Sequence, residues 1–331
     1  MNPAPILDLL EAFRRSKAMF AAVQLGVFDL LAMPHTAAAL ANQLGADKRA
    51  LELLLDANVN LELLIRRESY YQNTELAQRY LSRSSPDTLA GYIVYSDEVL
   101  WRLWANLADA VREGSHRWPQ AFGVESGTAL FTHFFRTPGS LRTFQQGMHG
   151  FGRISSPRVA DAFDLSSYTH FCDLGGGTGH LASAVLERWP HLVAAVFDLP
   201  AVIPVTREFA GPEITAIPGD FFTDPLPAAD LYALGRILHD WSDETCAILL
   251  RRIHNRLPAH GAVLIAEAIL DDDHTGPRSA IFQSLNMLAC TEGRERSAVE
   301  FSALLQEAGF GKVEFRRTGA PVDAILARKE R

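Results

Sequence analysis

Cysteine is scarce. Cys172, Cys246 and Cys290 are the only three in 331 residues, and none belongs to a C-x-x-C pair. An odd number without paired spacing excludes a disulfide framework and points to reduced thiols in a cytoplasmic protein. Positive charge is also short: 31 Lys and Arg stand against 39 Asp and Glu, a formal net charge of −8. That balance argues against nucleic acid or an anionic membrane surface as the main partner. No apolar run is long enough to span a bilayer, and no basic-then-apolar leader opens the chain, so neither a membrane span nor a signal peptide is expected. Internal repeats and low-complexity segments are missing too. What remains is a chain that is 48% apolar and long enough for two domains with a sizeable core.

Residues 1–110 read as a helical domain. The stretch ILDLLEAFRRSKAMFAAVQLGVFDLLA repeats apolar residues at three- and four-residue spacing, as an amphipathic helix does. Two shorter helices and a hairpin around Arg66–Asn73 follow, an order that suggests a winged-helix-like module. Winged helices can bind DNA. Here the candidate second helix, KRALELLLDANVNLELL, carries cations only at Lys48 and Arg49 and is otherwise apolar and acidic. A packing or homodimerisation module fits that composition better than a DNA reader. Residues 111–167 read as a helical connector lining a substrate pocket. The aromatics of residues 95–165, Trp101, Trp104, Trp118, Phe122, Phe131, Phe134, Phe135, Phe144 and Phe151, are mostly core, with some rings free to line that pocket.

From residue 168 to the end, apolar strands alternate with helices: THFCDL, VAAVFDL, ITAIP, ADLYALGRIL and GAVLIAEAIL. Such alternation predicts a doubly wound, Rossmann-like α/β sheet with parallel strands. KVEFRRT and VDAILAR are joined by a short link and predict an antiparallel hairpin at the sheet edge.

FCDLGGGTGH lies between the first strand and the first helix of that alternation. A dinucleotide loop needs G-x-G-x-x-G/A, and its third position falls on His180. An acid, a spacer and then G-x-G-x-G fits at every position through Asp173, Gly175, Gly177 and Gly179, which favours S-adenosylmethionine (SAM) over NAD. An ordinary tight strand-to-helix turn is the plain alternative. Asp198 ends the second strand, where a carboxylate can accept from both ribose hydroxyls. Asp220 and Phe221 end the third, placed to meet adenine.

GRILHDWSDE puts a titratable cluster after the fourth strand. His239 falls at the carboxyl edge of the sheet, where open α/β folds bind ligands. Glu267 lies in an apolar strand and needs a buried partner, for which His239 is the obvious choice. Glu295 follows the next helix. Methyl transfer to a phenol would use such a group. A phenol titrates at about 10 and a free imidazole at about 6.5, so proton transfer is uphill by roughly 5 kcal/mol unless carboxylates stabilise the imidazolium. The alternative is a hydrogen-bonded capping histidine without a catalytic part. Ser242 or Asp243 is expected to cap the following helix. Arg66, Arg67, Arg251 and Arg252 read as solvated, and His254 and His260 lack ligand spacing, so no metal is expected.

In their order, DLGGGTG, FDLP, GDFF, ILHDWSDE, AEAIL, SLNMLACTEGRER and TGAPVDAILARK resemble the small-molecule O-methyltransferases that include the caffeic acid and acetylserotonin (hydroxyindole) enzymes. LGVFDLL, NTEL and LADAVREG match in the first half. The resemblance covers nearly the whole chain, with the acetylserotonin branch nearest. It implies SAM as methyl donor, S-adenosylhomocysteine as product, no metal, and an intertwined dimer made by the N-terminal domain. It implies His239 as general base flanked by Glu267 and Glu295. Asp198, Leu199, Gly219, Asp220, Phe221, Phe222 and Arg236 would touch SAM. Asp240 and Asn286 would orient the acceptor, with Trp241, Phe135, Met148 and Cys290 around it. Three positions depart from the family pattern. Cys290 stands where the acetylserotonin enzymes have a substrate-contacting glutamine, Gly152 where an aromatic lies near the cofactor, and Gly235 where plant enzymes have a lysine near adenine. Methyl transfer to nitrogen or carbon on the same fold, or a non-catalytic SAM-binding regulator, are the alternative functions.

Overall fold

The computed structural model describes residues 1–124 and 137–330. The chain forms two compact units, residues 1–99 and 100–331. The division falls earlier than the end of the helical segment at residue 110 suggested by composition.

The first unit begins with helix α1 (Ala4–Leu25), which stops where Gly26 takes a left-handed φ of 78°. A single turn, α2 (Val27–Leu30), and strand β1 (His35–Thr36) follow. Thr36 and Asp47 cap α3 (Ala37–Leu44) and α4 (Lys48–Asn60) by accepting from the backbone N–H groups of Ala39 and Ala50. The hairpin β2 (Leu64–Arg67) and β3 (Tyr70–Asn73) joins β1 in a small sheet of order β1-β3-β2. Helices α5 (Glu75–Tyr80) and α6 (Ala90–Tyr95) complete the unit. Leu40, Leu55, Leu64 and Tyr71 form its core with Phe28 and Leu31. In contrast, Ile6, Leu7, Leu10 and Phe13 on the first half of α1 are exposed.

In the second unit, the short helices α7 (Trp101–Trp104), α8 (Leu107–Glu113) and α9 (Trp118–Phe122) precede the long helix α10 (Pro138–Ala160). The α/β alternation then runs β4 (His170–Leu174), α11 (His180–Arg188), β5 (Val193–Asp198), α12 (Ile203–Phe209), β6 (Ile214–Pro218), β7 (Leu231–Gly235), α13 (Asp243–Arg256) and β8 (Ala262–Glu267). A two-residue strand β9 (Ile269–Leu270), helix α14 (Arg278–Cys290), a two-residue strand β10 (Arg296–Ser297), α15 (Ala298–Glu307), β11 (Val313–Arg316) and β12 (Asp323–Arg328) follow. The large sheet has the order β11-β12-β8-β7-β4-β5-β6, with β12 antiparallel to both of its neighbours and the other pairs parallel. The expected edge hairpin is therefore present.

Alternate residues of each strand feed two cores. Cys172, Leu174, Tyr232 and Leu234 pack with Leu249, Ile253 and Phe301 of α13 and α15. Phe171, Val196, Leu231 and Ala233 pack with Val159, Leu181 and Val185 of α10 and α11. Every residue of β8 is buried, as in a parallel strand covered on both faces. From β4 the chain winds outward through β5 and β6, then returns to pair β7 on the other side of β4. That reversal opens a crevice beyond the carboxyl ends of β4 and β7, the place where folds of this type hold ligands. Two of the expected strands are shorter than the apolar runs suggest. ADLYALGRIL breaks at Arg236, whose φ is +57°. GAVLIAEAIL splits at Ala268, and its second piece leaves the sheet to pair with β10.

Candidate active site

The glycine loop leaves β4 directly into the crevice. Gly175, Gly177 and Gly179 all have positive φ, between 56° and 77°, which other residues adopt at a penalty. A Cβ on Gly175 would sit 2.6 Å from Ile237 and 3.2 Å from the Phe221 ring. The loop backbone thus meets the turns after both β7 and β6. Asp173, under the loop, is buried, and neither of its carboxylate oxygens has a hydrogen-bond partner. Burial, with the Asp198 charge added, pushes it up to about 8. Asp198 ends β5 as expected. Its Oδ2 accepts from Gly177 N–H at 2.8 Å and its Oδ1 from Leu199 N–H at 2.7 Å. These bonds orient the carboxylate, and each oxygen keeps a second acceptor site, enough for a ribose diol.

Beyond β6, a Cβ on Gly219 would lie 2.4 Å from the Phe197 ring, so only glycine lets the loop pass. Asp220 Oδ1 accepts from Phe222 N–H at 2.8 Å and so bends this turn. Phe221 stacks edge-on against Phe222 (4.8 Å between centroids), and Phe222 against Trp241 (5.0 Å). Trp241 thus packs beside the Phe221–Phe222 loop. Arg252 is not a solvated side chain. It is half-buried, and it donates to the carbonyls of Phe221 at 3.0 Å and Asp224 at 2.6 Å, pinning this loop to α13. Arg236 lays its guanidinium 4.4 Å over the Phe151 ring.

His239 lies in a 3-10 turn, Leu238–Asp240, and is 4% exposed. Its Nδ1 is 2.7 Å from Glu295 Oε1, and 3.5 Å from Glu267 Oε2. The expectation that His239 is the main partner of Glu267 needs correcting. Glu267 Oε1 accepts from the backbone N–H groups of Ile237 (2.9 Å), Leu238 (2.8 Å) and His239 (3.4 Å). One oxygen of the strand-end acid caps the turn, its other oxygen has no hydrogen-bond partner, and Glu295 is the acid that hydrogen-bonds the ring. With Nδ1–H donating to Glu295, Nε2 is left as an acceptor. The nearest carboxylate oxygen to it, Asp240 Oδ1, is 3.7 Å away.

Burial raises all three acids: Glu267, Glu295 to about 8, and Asp240 to about 6. Arg236 pulls each of them the other way. Such a cluster resists holding only negative charge. The ligand atoms of His239, Glu267 and Glu295 lie within 4.8 Å of one another, a spacing that also admits a cation. Glu267 Oε1 and Glu295 Oε1 are already committed to N–H donors, which suits a proton better.

The remaining expected residues scatter in role. Asn286 is buried on α14, and its Oδ1 accepts from Trp104 Nε1 at 2.7 Å, which leaves its NH₂ group as a donor. Cys290 is buried one turn later. Its Sγ is 3.7 Å from the same Asn286 oxygen, and its carbonyl accepts from Trp118 Nε1 at 2.6 Å. Met148 is half-buried on α10. Phe135, with Phe131 and Phe134, lies outside the described residues. Ser242 is the cap of α13, accepting from Thr245 N–H.

Sequence reasoning missed a histidine pair beside the glycine loop. His180 Nδ1 is 2.8 Å from Ser156 Oγ, and His149 Nδ1 is 2.9 Å from Thr178 Oγ1. The His180 ring lies against Gly152, where a Cβ would come within 2.4 Å of it. Burial pushes His149 down to about 4 and His180 to about 3, so both rings are neutral at physiological pH. An imidazole therefore fills the space over Gly152. Nothing in the spacing of residues 152 and 180 along the chain signals this contact.

Residues 104–311 match the O-methyltransferase domain, and residues 7–83 match the O-methyltransferase dimerisation domain. The chain is 44% identical to acetylserotonin O-methyltransferase of Bos taurus, over 97% of this chain and 96% of that protein. It is 42% identical to the Homo sapiens enzyme with the same coverage. The crystal structure of human N-acetylserotonin methyltransferase in complex with SAM matches with a TM-score of 0.95 at 41% identity, covering 100% of this chain and 99% of that one. The mitomycin 7-O-methyltransferase matches at 0.85 and 28% identity, covering 98% and 97%. With a domain match over most of its length and relatives this near, the chain belongs to the O-methyltransferase family.

Proposed function

We propose that the protein transfers a methyl group from SAM to the hydroxyl of a small aromatic acceptor, a hydroxyindole or related phenol, with His239 as general base. The observation that carries this reading is the His239–Glu295 contact of 2.7 Å, with Nε2 left free to accept a proton. Relatives at 44% and 42% identity that bear the acetylserotonin O-methyltransferase name support the acceptor class.

The residues present fit an adenosyl ligand. Asp198 has two spare acceptor sites for a ribose diol, Gly175 and Gly177 bring backbone close, and Phe221 supplies a ring beside the loop. Bound SAM supplies an electrophilic methyl on a sulfonium. Asp173 lies buried under the glycine loop. The neutral rings of His149 and His180 add no positive charge there. His239 Nε2 takes the acceptor's hydroxyl proton as the oxygen attacks, and Glu295 stabilises the resulting imidazolium through Nδ1. Glu267 holds the turn that carries the ring and adds a second negative charge 3.5 Å from Nδ1. Asn286 and Asp240 would orient the acceptor.

The exposed apolar stripe Ile6, Leu7, Leu10 and Phe13, at the start of the segment that matches the dimerisation domain, supports a homodimer. The three buried, free cysteines suit a reducing, cytoplasmic setting. Among the described residues no helix is long and apolar enough to cross a membrane. The test is incubation with methyl-labelled SAM and a panel of phenols and hydroxyindoles that includes N-acetylserotonin, with products placed by NMR. O-methylated product from the parent and none from His239→Gln is expected. Exclusive N- or C-methylation, or full turnover in the variant, would reject the assignment.

A further inference from the structure

The segment between Thr291 and Ser297 does more than deliver Glu295 to the imidazole. The 3-10 turn that carries His239 is weakly held by its own backbone, with Asp240 N–H to Ile237 O at 3.2 Å and Trp241 N–H to Leu238 O at 3.3 Å. Its N–H groups are gathered by Glu267, as described above. Its carbonyl groups are gathered by Arg296. Nη1 of Arg296 donates to Leu238 O at 2.9 Å and Nη2 to Trp241 O at 2.8 Å, the two carbonyls that bracket His239 and Asp240.

Arg296 is fully buried, and a guanidinium in that position is expensive unless every donor is used. All five are used. Nε and Nη2 each reach Asp243 Oδ1 at 2.7 Å, and Nη1 also reaches Arg294 O at 3.3 Å. The approach is tight enough that Gly293 has no room for a side chain. A Cβ there would lie 2.2 Å from His239 O and 2.5 Å from Trp241 N. Two further contacts close the seam: Glu292 Oε1 accepts from Ser242 N–H at 3.1 Å, and Cys246 Sγ donates to Leu238 O at 3.2 Å.

We propose that Arg296 is a positioning residue for the base: its planar fork fixes the two carbonyls that flank His239, and Asp243 fixes the fork. The inference rests on the assignment of His239 as base. Arg296 touches neither acceptor nor methyl donor and acts only through the turn. A lysine could not replace it, because one ammonium cannot present the fan of donors that holds two carbonyls and a carboxylate together.

The test compares Arg296→Lys, Asp243→Asn and His239→Gln with the parent on a series of phenols of decreasing pKa. Arg296→Lys is expected to lower kcat about 10–100-fold, with acceptor KM and SAM Kd within about threefold of the parent. Its deficit should shrink as the phenol becomes more acidic and needs the base less. Asp243→Asn alters a half-exposed side chain and keeps an oxygen for the guanidinium, which makes it the milder second variant if Arg296→Lys proves unstable. It should show a smaller loss with the same dependence on phenol acidity. An inactive His239→Gln beside Arg296→Lys and Asp243→Asn at parental rates overturns the clamp and leaves the base intact. A loss that is equal for every phenol also overturns it, since that is the mark of general destabilisation. A His239→Gln enzyme as active as the parent overturns the base and the clamp together.

Discussion

Replacing Glu295 by Gln is the sharpest probe of the site, because it changes one charge and almost no volume. Glu295 is 1% exposed, its Oε1 meets His239 Nδ1 at 2.7 Å, and its Oε2 has no partner. A hydrogen bond to a charged group contributes ~1.5–3 kcal/mol. At ~1.4 kcal/mol per factor of ten, its loss in the transition state lowers kcat roughly 10–150-fold. A second effect adds to this. If the new side-chain amide turns its NH₂ toward Nδ1, the proton moves to Nε2, and the ring can no longer accept from the acceptor hydroxyl. The loss then exceeds that range, as it does when an orienting acid of a catalytic histidine is neutralised. The assay is initial rate of methyl transfer at saturating SAM and phenol from pH 6 to pH 9.5, with SAM affinity followed by calorimetry. SAM binding should be unchanged. The rate deficit should narrow as pH approaches the phenol pKa of about 10, where the acceptor is already ionised. A Glu295→Gln enzyme that folds, binds SAM and turns over within about twofold of the parent at pH 7 would refute the reasoning.

Asp198→Asn should weaken SAM binding roughly 10–100-fold, because the amide cannot accept from Gly177 N–H, Leu199 N–H and two hydroxyls at once; a titration of SAM into each protein measures it. Asp173, raised to about 8 in the fold against about 3.9 in an unfolded chain, makes the native state bind the extra proton, so stability falls as pH rises from about 4 toward about 8. In Asp173→Asn the melting temperature of the ligand-free protein should fall less steeply across that window, by a few degrees in calorimetric scans. A slope equal to the parent's would remove the argument. Gly152→Ala drives a Cβ to within 2.4 Å of the His180 ring and should destabilise by ~1–3 kcal/mol. Adding His180→Ala should recover much of that, a coupling that a double-mutant cycle of thermal stabilities reads directly.

Local chemistry was enough for a large part of this molecule. Apolar patterns of helical and strand period placed the helical first unit, the parallel strands and the edge hairpin, because burial imposes those periods on any chain. The acid and glycines from Asp173 to Gly179 were legible because left-handed backbone and close approach are needs that glycine meets best, and all three alternate glycines have positive φ. Asp198, His239 and Glu267 were placed at strand tips by counting strands. Glu295 was expected beside His239, but how the two acids divide between the ring and the turn was not. Glu267 sits opposite the broken end of β7, where Arg236 turns the chain at φ +57° and aims successive N–H groups at one carboxylate. No spacing rule announces that geometry.

Glu295 and Arg296 reach the base only because the two-residue strands β9 and β10 pair in parallel, Ile269 against Arg296, although the whole of α14 separates them in the chain. The same is true of His180 on Gly152 and of Arg252 on the Phe221 loop, contacts between elements whose order along the chain says nothing of their distance. Periodicity and residue chemistry are properties of neighbouring residues, and the chain displays them before it folds. Which acid holds the imidazole, which holds the turn, and which cation locks both are settled by packing across the sheet's carboxyl edge, where a small shift of one element exchanges one hydrogen bond for another.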